Sequence, residues 1–133
     1  MKTCLLTLSL LAAAVAFGGS SAEKTVPCVW TNAVGATFNY RYHEPSAVEP
    51  GRKYPLVLLL HGAGERGTDN VAQLKWGGAE IVDWFAKKGQ EFYFVAGQVP
   101  DGKRWVEVDW GLPEHAMPKE PSESMAHLIG LVE

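Results

Sequence analysis

The chain has 133 residues, a length for one domain. Its 47% hydrophobic and 20% charged residues are those of a globular protein rather than a disordered one. A net charge of −3, with no basic run longer than Lys87-Lys88 or Lys103-Arg104, sets it apart from nucleic-acid binders, which concentrate a basic patch.

Residues 1–22 read as a targeting segment. Lys2 supplies a positive start, residues 5–17 an apolar stretch, and Gly18-Gly19-Ser20-Ser21-Ala22 a small-residue region with cleavage expected after Ala22. The apolar stretch is shorter than the about 20 residues a membrane span needs. A signal peptide and a secreted or periplasmic product are therefore expected, without a stable membrane anchor. Cys4 would leave with the signal. Cys28 then stands alone in the mature chain, either as a buried thiol or paired with a cysteine outside this sequence.

Phe38-Asn39-Tyr40-Arg41-Tyr42 alternates with period two, the pattern of a half-exposed antiparallel strand, and Asn32 with Gly35 predicts a hairpin turn before it. A Pro- and Gly-punctuated connection over 43–51 leads to the run Leu56-Val57-Leu58-Leu59-Leu60, which reads as a parallel strand buried on both faces, with Pro55 at its start. The run stops at His61-Gly62, where Gly62, Gly64 and Gly67 let the backbone turn tightly. Asp69 or Asn70 is placed to cap a helix carrying Val71 and Leu74, which Gly77-Gly78 interrupts. A second helix is predicted over 79–88, with Ile81, Val82 and Phe85 on one face, Lys87-Lys88 near its end and Gly89 as its stop. Phe92-Tyr93-Phe94-Val95-Ala96 follows as another buried strand, so that strand, helix and strand make a right-handed parallel unit. Trp76 and Trp84 read most simply as core or rim aromatics. Ser122 is a plausible N-cap for a last helix with Met125, Leu128, Ile129 and Val132 at helical spacing.

The glycine loop supports two readings. Gly62-Ala63-Gly64-Glu65-Arg66-Gly67 matches the G-x-G-x-x-G dinucleotide fingerprint, but Thr68-Asp69-Asn70 postpones the helix that this fingerprint needs at its last glycine. Alternatively, His-Gly-x-Gly after a strand is an oxyanion loop, in which a backbone N–H receives the negative oxygen formed when an ester carbonyl is attacked. Tyr54-Pro55-Leu56-Val57, then His61-Gly62-Ala63-Gly64-Glu65-Arg66-Gly67-Thr68-Asp69-Asn70, and later Asp101-Gly102-Lys103-Arg104-Trp105, together resemble secreted α/β-hydrolase esterases of the carboxylesterase and polyester-depolymerase-like group. The resemblance runs from about Phe38 to the end. It departs at Gly97 and Val99, where the group usually has proline and cysteine on either side of the glutamine.

The resemblance implies an α/β fold: the N-terminal part of an α/β-hydrolase, with an antiparallel edge hairpin followed by parallel strands and crossover helices. It implies a carboxylic-ester hydrolase, with Ala63 as oxyanion donor, Gly62 and Gly64 shaping the loop, and a small-molecule or polymeric ester as substrate. Trp105 and Trp110 are candidate substrate-binding aromatics. A Glu65–Arg66 pair is expected to stiffen the loop. A serine esterase also needs a G-x-S-x-G nucleophile elbow followed by an acid and a histidine. The sequence has no elbow, and His43, His61, His115 and His127 precede the place where the base belongs. His61 reads as an orienting residue, His115 and His127 as solvated surface residues. No metal-ligand spacing occurs, Glu107/Asp109 and Glu120/Glu123 read as solvated faces, and no cofactor is expected. The expectation is therefore a truncated hydrolase domain over 23–133, inactive alone and ending before its nucleophile. The alternative is a non-catalytic, hydrolase-like binding protein.

Overall fold

Asn32 makes the first turn of the sheet. In the computed structural model, which describes residues 24–133, its Oδ1 accepts from the amides of Val34 (3.1 Å) and Ala36 (2.8 Å). Gly35 takes a φ of 88°, where a side chain would be strained. The chain folds back there as an antiparallel hairpin of β1 (Val26–Thr31) and β2 (Thr37–His43). The targeting segment expected over 1–22 lies outside the described residues.

Beyond the hairpin, β2 pairs antiparallel with β4 (Tyr93–Gly97), and β4 pairs in parallel with β3 (Leu56–Leu59), giving the order β1-β2-β4-β3. β4 is the strand that reads as buried on both faces, with Phe94, Val95 and Ala96 all buried. The same expectation for 56–60 is corrected. Val57 and Leu59 pack into the core, but Leu56, Leu58 and Leu60 are 48%, 43% and 47% exposed. Among the described residues no strand pairs beyond β3, and an uninterrupted apolar run cannot by itself tell an interior strand from an edge strand.

Each face of the sheet is covered by one helix. α1 (Gly78–Lys88) sets Val82, Ile81 and Phe85 against Phe92, Phe94 and Ala96, with Leu74 completing the cluster. α2 (Glu123–Val132) sets Leu128, Met125 and Leu131 on the opposite face against Phe38 and Val95. Ser122 caps α2 by accepting from the Met125 amide (3.1 Å), which satisfies one of the otherwise unpaired N–H groups of the first turn. His127 is not a solvated residue. It is half-buried, its ring 5.6 Å from Trp30 and 5.7 Å from Phe38. His115 is exposed. Cys28 is a half-buried free thiol beside Tyr40, whose hydroxyl is raised to about 12 by burial and then by the neighbouring thiol.

The helix expected from Asp69 or Asn70 contracts to a single 3-10 turn, Ala72–Leu74, because Gly77 with φ 88° breaks the chain before α1. Gly97 has a steric reason to lack a side chain. A Cβ there would lie 2.6 Å from the Phe38 ring, so the proline usual in the resembled group does not fit against this core. Among the described residues no helix is long and apolar enough to cross a membrane.

Candidate functional site

The chain leaves β3 towards α1 on one face and β4 towards α2 on the other, and a crevice at the carboxyl ends of two such parallel strands is where open α/β sheets bind ligands. Two loops meet there, residues 61–70 after β3 and 98–110 after β4.

His61 joins them. Its ring is buried, and Nε2 accepts from the Val99 amide at 2.9 Å. That acceptor role leaves the proton on Nδ1, which donates to the Gly62 carbonyl at 2.7 Å. The His61 carbonyl in turn accepts from Trp105 Nε1 (3.0 Å), and the two rings lie 5.4 Å apart. With both ring nitrogens engaged, His61 positions backbone on either side of the crevice.

Gly62 precedes a 3-10 turn, Ala63–Glu65, closed by the Glu65 amide donating to the Gly62 carbonyl (3.3 Å). The first amides of such a turn have no partner within it, so those of Ala63 and Gly64 are the donors that the turn leaves over. Gly62 has an ordinary φ of −79°, but a Cβ on it would lie 3.0 Å from Glu65 Oε2. Gly64 has neither a positive φ nor a crowded Cβ position, so the turn itself does not demand glycine there. Gly67 does: its φ is 145°, and its amide donates to the Val99 carbonyl (3.0 Å). No long helix opens at this loop, which leaves the dinucleotide fingerprint without the helix it requires.

The expected Glu65–Arg66 pair is not formed, because the two side chains diverge. Glu65 turns inward, where Oε1 accepts from Trp76 Nε1 (3.0 Å). The Arg66 guanidinium lies 5.2 Å from the Trp110 ring centroid, and that of Arg104 lies 5.1 Å from the same ring. Gly62, Ala63, Trp105 and Trp110 thus line one cleft of about 390 Å³, together with His61, Arg66, Val99 and Val106. Gly64 belongs to the turn but not to the lining. Trp76 and Trp84 lie elsewhere, as exposed rim residues.

Beneath the cleft sits Gln98, only 1% exposed. Its Oε1 accepts from the Asn70 amide (2.7 Å), and its Nε2 donates to Asp69 Oδ1 (2.8 Å) and to the Glu65 carbonyl (3.3 Å). Asn70, at a left-handed φ of 54°, donates through Nδ2 to the carbonyls of Cys28 and Tyr40, both at 3.1 Å. The loop is thereby tied to the middle of the β1–β2 hairpin, at paired residues of the two strands. Sequence reasoning placed no role on Gln98 or Arg104 and read Asn70 only as a candidate helix cap. A polar residue directly after a fully apolar strand was the signal available for Gln98.

Asp69 accepts from the amides of Ala72 (3.0 Å) and Val71 (2.9 Å) and from Gln98, and these bonds, in that order, hold its carboxyl below the usual aspartate range. Because the native value lies below the unfolded one, the stabilisation is whole above about pH 4 and is lost as the pH falls through the native value. Asp69→Asn is expected to lower the melting temperature at neutral pH, with the gap to wild type closing on acidification through that window. A gap independent of pH would contradict this account.

Among the described residues no three His, Cys, Asp or Glu side chains gather as a metal site. No protein-family model matches the sequence, and no match to a curated protein was found. The chain is similar to a solved structure described as the crystal structure of a thermostable esterase, at 29% identity and a TM-score of 0.66. The match covers 83% of this chain and 29% of that one, so the chain corresponds to under a third of the esterase's length. The mixed four-stranded sheet and this likeness together fit part of an α/β-hydrolase fold, with an esterase-like arrangement of its elements.

Proposed function

We propose that this chain is the amino-terminal part of an exported serine carboxylic-ester hydrolase and supplies its oxyanion loop. One observation carries the reading: a turn with unspent amides at Ala63 and Gly64 opens into an aromatic-lined cleft at the carboxyl ends of two parallel strands. In the complete enzyme a serine Oγ would attack the ester carbonyl carbon and pass its proton to a histidine. The carbonyl oxygen would take the negative charge towards the Ala63 amide, the alcohol would leave with the histidine's proton as the carbonyl re-forms on the serine, and water would then release the acid from the acyl-serine. Pre-aimed amides in a crevice of low polarity stabilise that charge without reorganising. The unpaired edge of β3 and the exposed leucines on one of its faces support the incompleteness, since a further parallel strand would pair that edge and an element packed on that face would cover the leucines. The likeness to an esterase supports the chemistry, and the apolar segment over 5–17 supports export.

The test is to read the coding sequence beyond codon 133 and to express the extended product. It is expected to encode a G-x-S-x-G elbow shortly downstream and to release p-nitrophenol from p-nitrophenyl acetate with an acyl-enzyme burst, whereas the 133-residue chain releases none. An immediate stop codon, combined with well-folded 133-residue protein, would sink the proposal in favour of a hydrolase-like binding protein.

A further inference from the structure

The cleft carries more positive charge than an oxyanion loop requires. We propose that its ester is itself anionic, with a carboxylate near the scissile carbonyl that Arg66 binds; this rests on the esterase reading of the same cleft. Arg66 lies three residues after Ala63 and lines the cleft with it. Both guanidiniums stand about one ring's breadth from Trp110, at 5.2 and 5.1 Å from its centroid.

Among the described residues no acid takes the role of that carboxylate. Among the described residues the ion pairs are Lys24–Asp83, Arg52–Glu49 and Lys103–Glu123, so neither Arg66 nor Arg104 meets a carboxylate. Arg104 uses one N–H on the Val108 carbonyl, which fixes its position, while Arg66 lines the cleft. A planar fork of N–H donors matches the two oxygens of a carboxylate, and the apolar Val99 and Val106 in the same lining reduce the screening of that contact by water. A neutral ester of the same shape would displace part of the guanidinium's water and offer no charge-assisted contact in return.

Two probes separate this from simple ester binding: monomethyl succinate, an anionic ester, and dimethyl succinate, its neutral counterpart. Each is titrated into the 133-residue chain while the Ala63 amide and the Arg66 Nε–H are followed by NMR. Both probes are expected to move the Ala63 amide, with monomethyl succinate binding about tenfold more tightly, the gain expected of one charge-assisted contact. Arg66→Gln is expected to abolish the preference, and Arg66→Lys to keep part of it through charge without the fork. Arg66 is half-exposed, so both variants should retain the wild-type circular dichroism spectrum. Equal affinities in the wild type, or a preference untouched in both variants, overturn the anionic substrate and leave the oxyanion reading standing. If neither probe moves the Ala63 amide, the oxyanion reading and this proposal fall together. If monomethyl succinate moves Arg66 alone, the cleft is an anion site and not an ester site, which also overturns the proposal.

Discussion

Gln98→Leu is expected to lower stability by about 2–4 kcal/mol, although it barely changes side-chain volume. Leucine fills the space, so no cavity forms. The loss comes from polar groups left behind: the Asn70 amide without an acceptor, and the Asp69 carboxylate and Glu65 carbonyl without a donor. In a domain of this size the corresponding fall in melting temperature is roughly 8–16 °C. Gln98→Glu sharpens the test. It keeps an acceptor for Asn70 but sets a second carboxylate against Asp69, so it should cost a similar amount at neutral pH and recover on acidification. A melting temperature within about 2 °C of wild type for Gln98→Leu would show that water replaces the network at little cost. The loop at Ala63 would then be held chiefly by His61, the Gly67–Val99 bond and the Asn70 side chain.

That network also explains what was legible in the residues and what was not. The hairpin at Asn32 and Gly35, the break at Gly77-Gly78 and the Ser122 cap are local. Each depends on one side chain bonding its own neighbourhood or on one backbone angle, and each can be read from a few consecutive letters. The burial of β3 is not local. Leu56 and Val57 are neighbours in the same apolar run and point to opposite faces of the sheet, yet only the face of Val57 is covered at this edge strand. The cleft divides in the same way. The turn at Ala63 follows from glycines next to a strand end, whereas the approach of Arg66 to Trp110 joins positions 44 residues apart only after β4 has been inserted between β2 and β3. The Glu65–Arg66 pair failed for a related reason. Adjacent residues diverge across a tight turn, and Glu65 finds Trp76, eleven residues on, within reach instead.

Ala63→Pro, placed in the chain extended to include its nucleophile, is expected to reduce kcat by about 10²–10³, or about 2.7–4 kcal/mol of transition-state stabilisation. Proline removes one N–H, and here it removes little else. Ala63 is the first residue of its turn, where proline's fixed φ suits the geometry and no intrahelical bond is lost. Gly62 before it is already extended, at φ −79° and ψ −178°, the conformation a residue preceding proline prefers. The melting temperature should therefore hold, and KM should change by no more than about twofold, because the amide meets a full negative charge only in the transition state. Ala63→Gly, which keeps the donor and loses only a methyl group, should retain nearly wild-type kcat. If proline is as active as glycine, the developing charge is received elsewhere, and the unspent amides of this turn are only the ordinary ends of a short helix. If kcat falls with proline alone while both variants melt alike, the loss belongs to the hydrogen bond and not to the fold, since the two variants bracket the one atom in question.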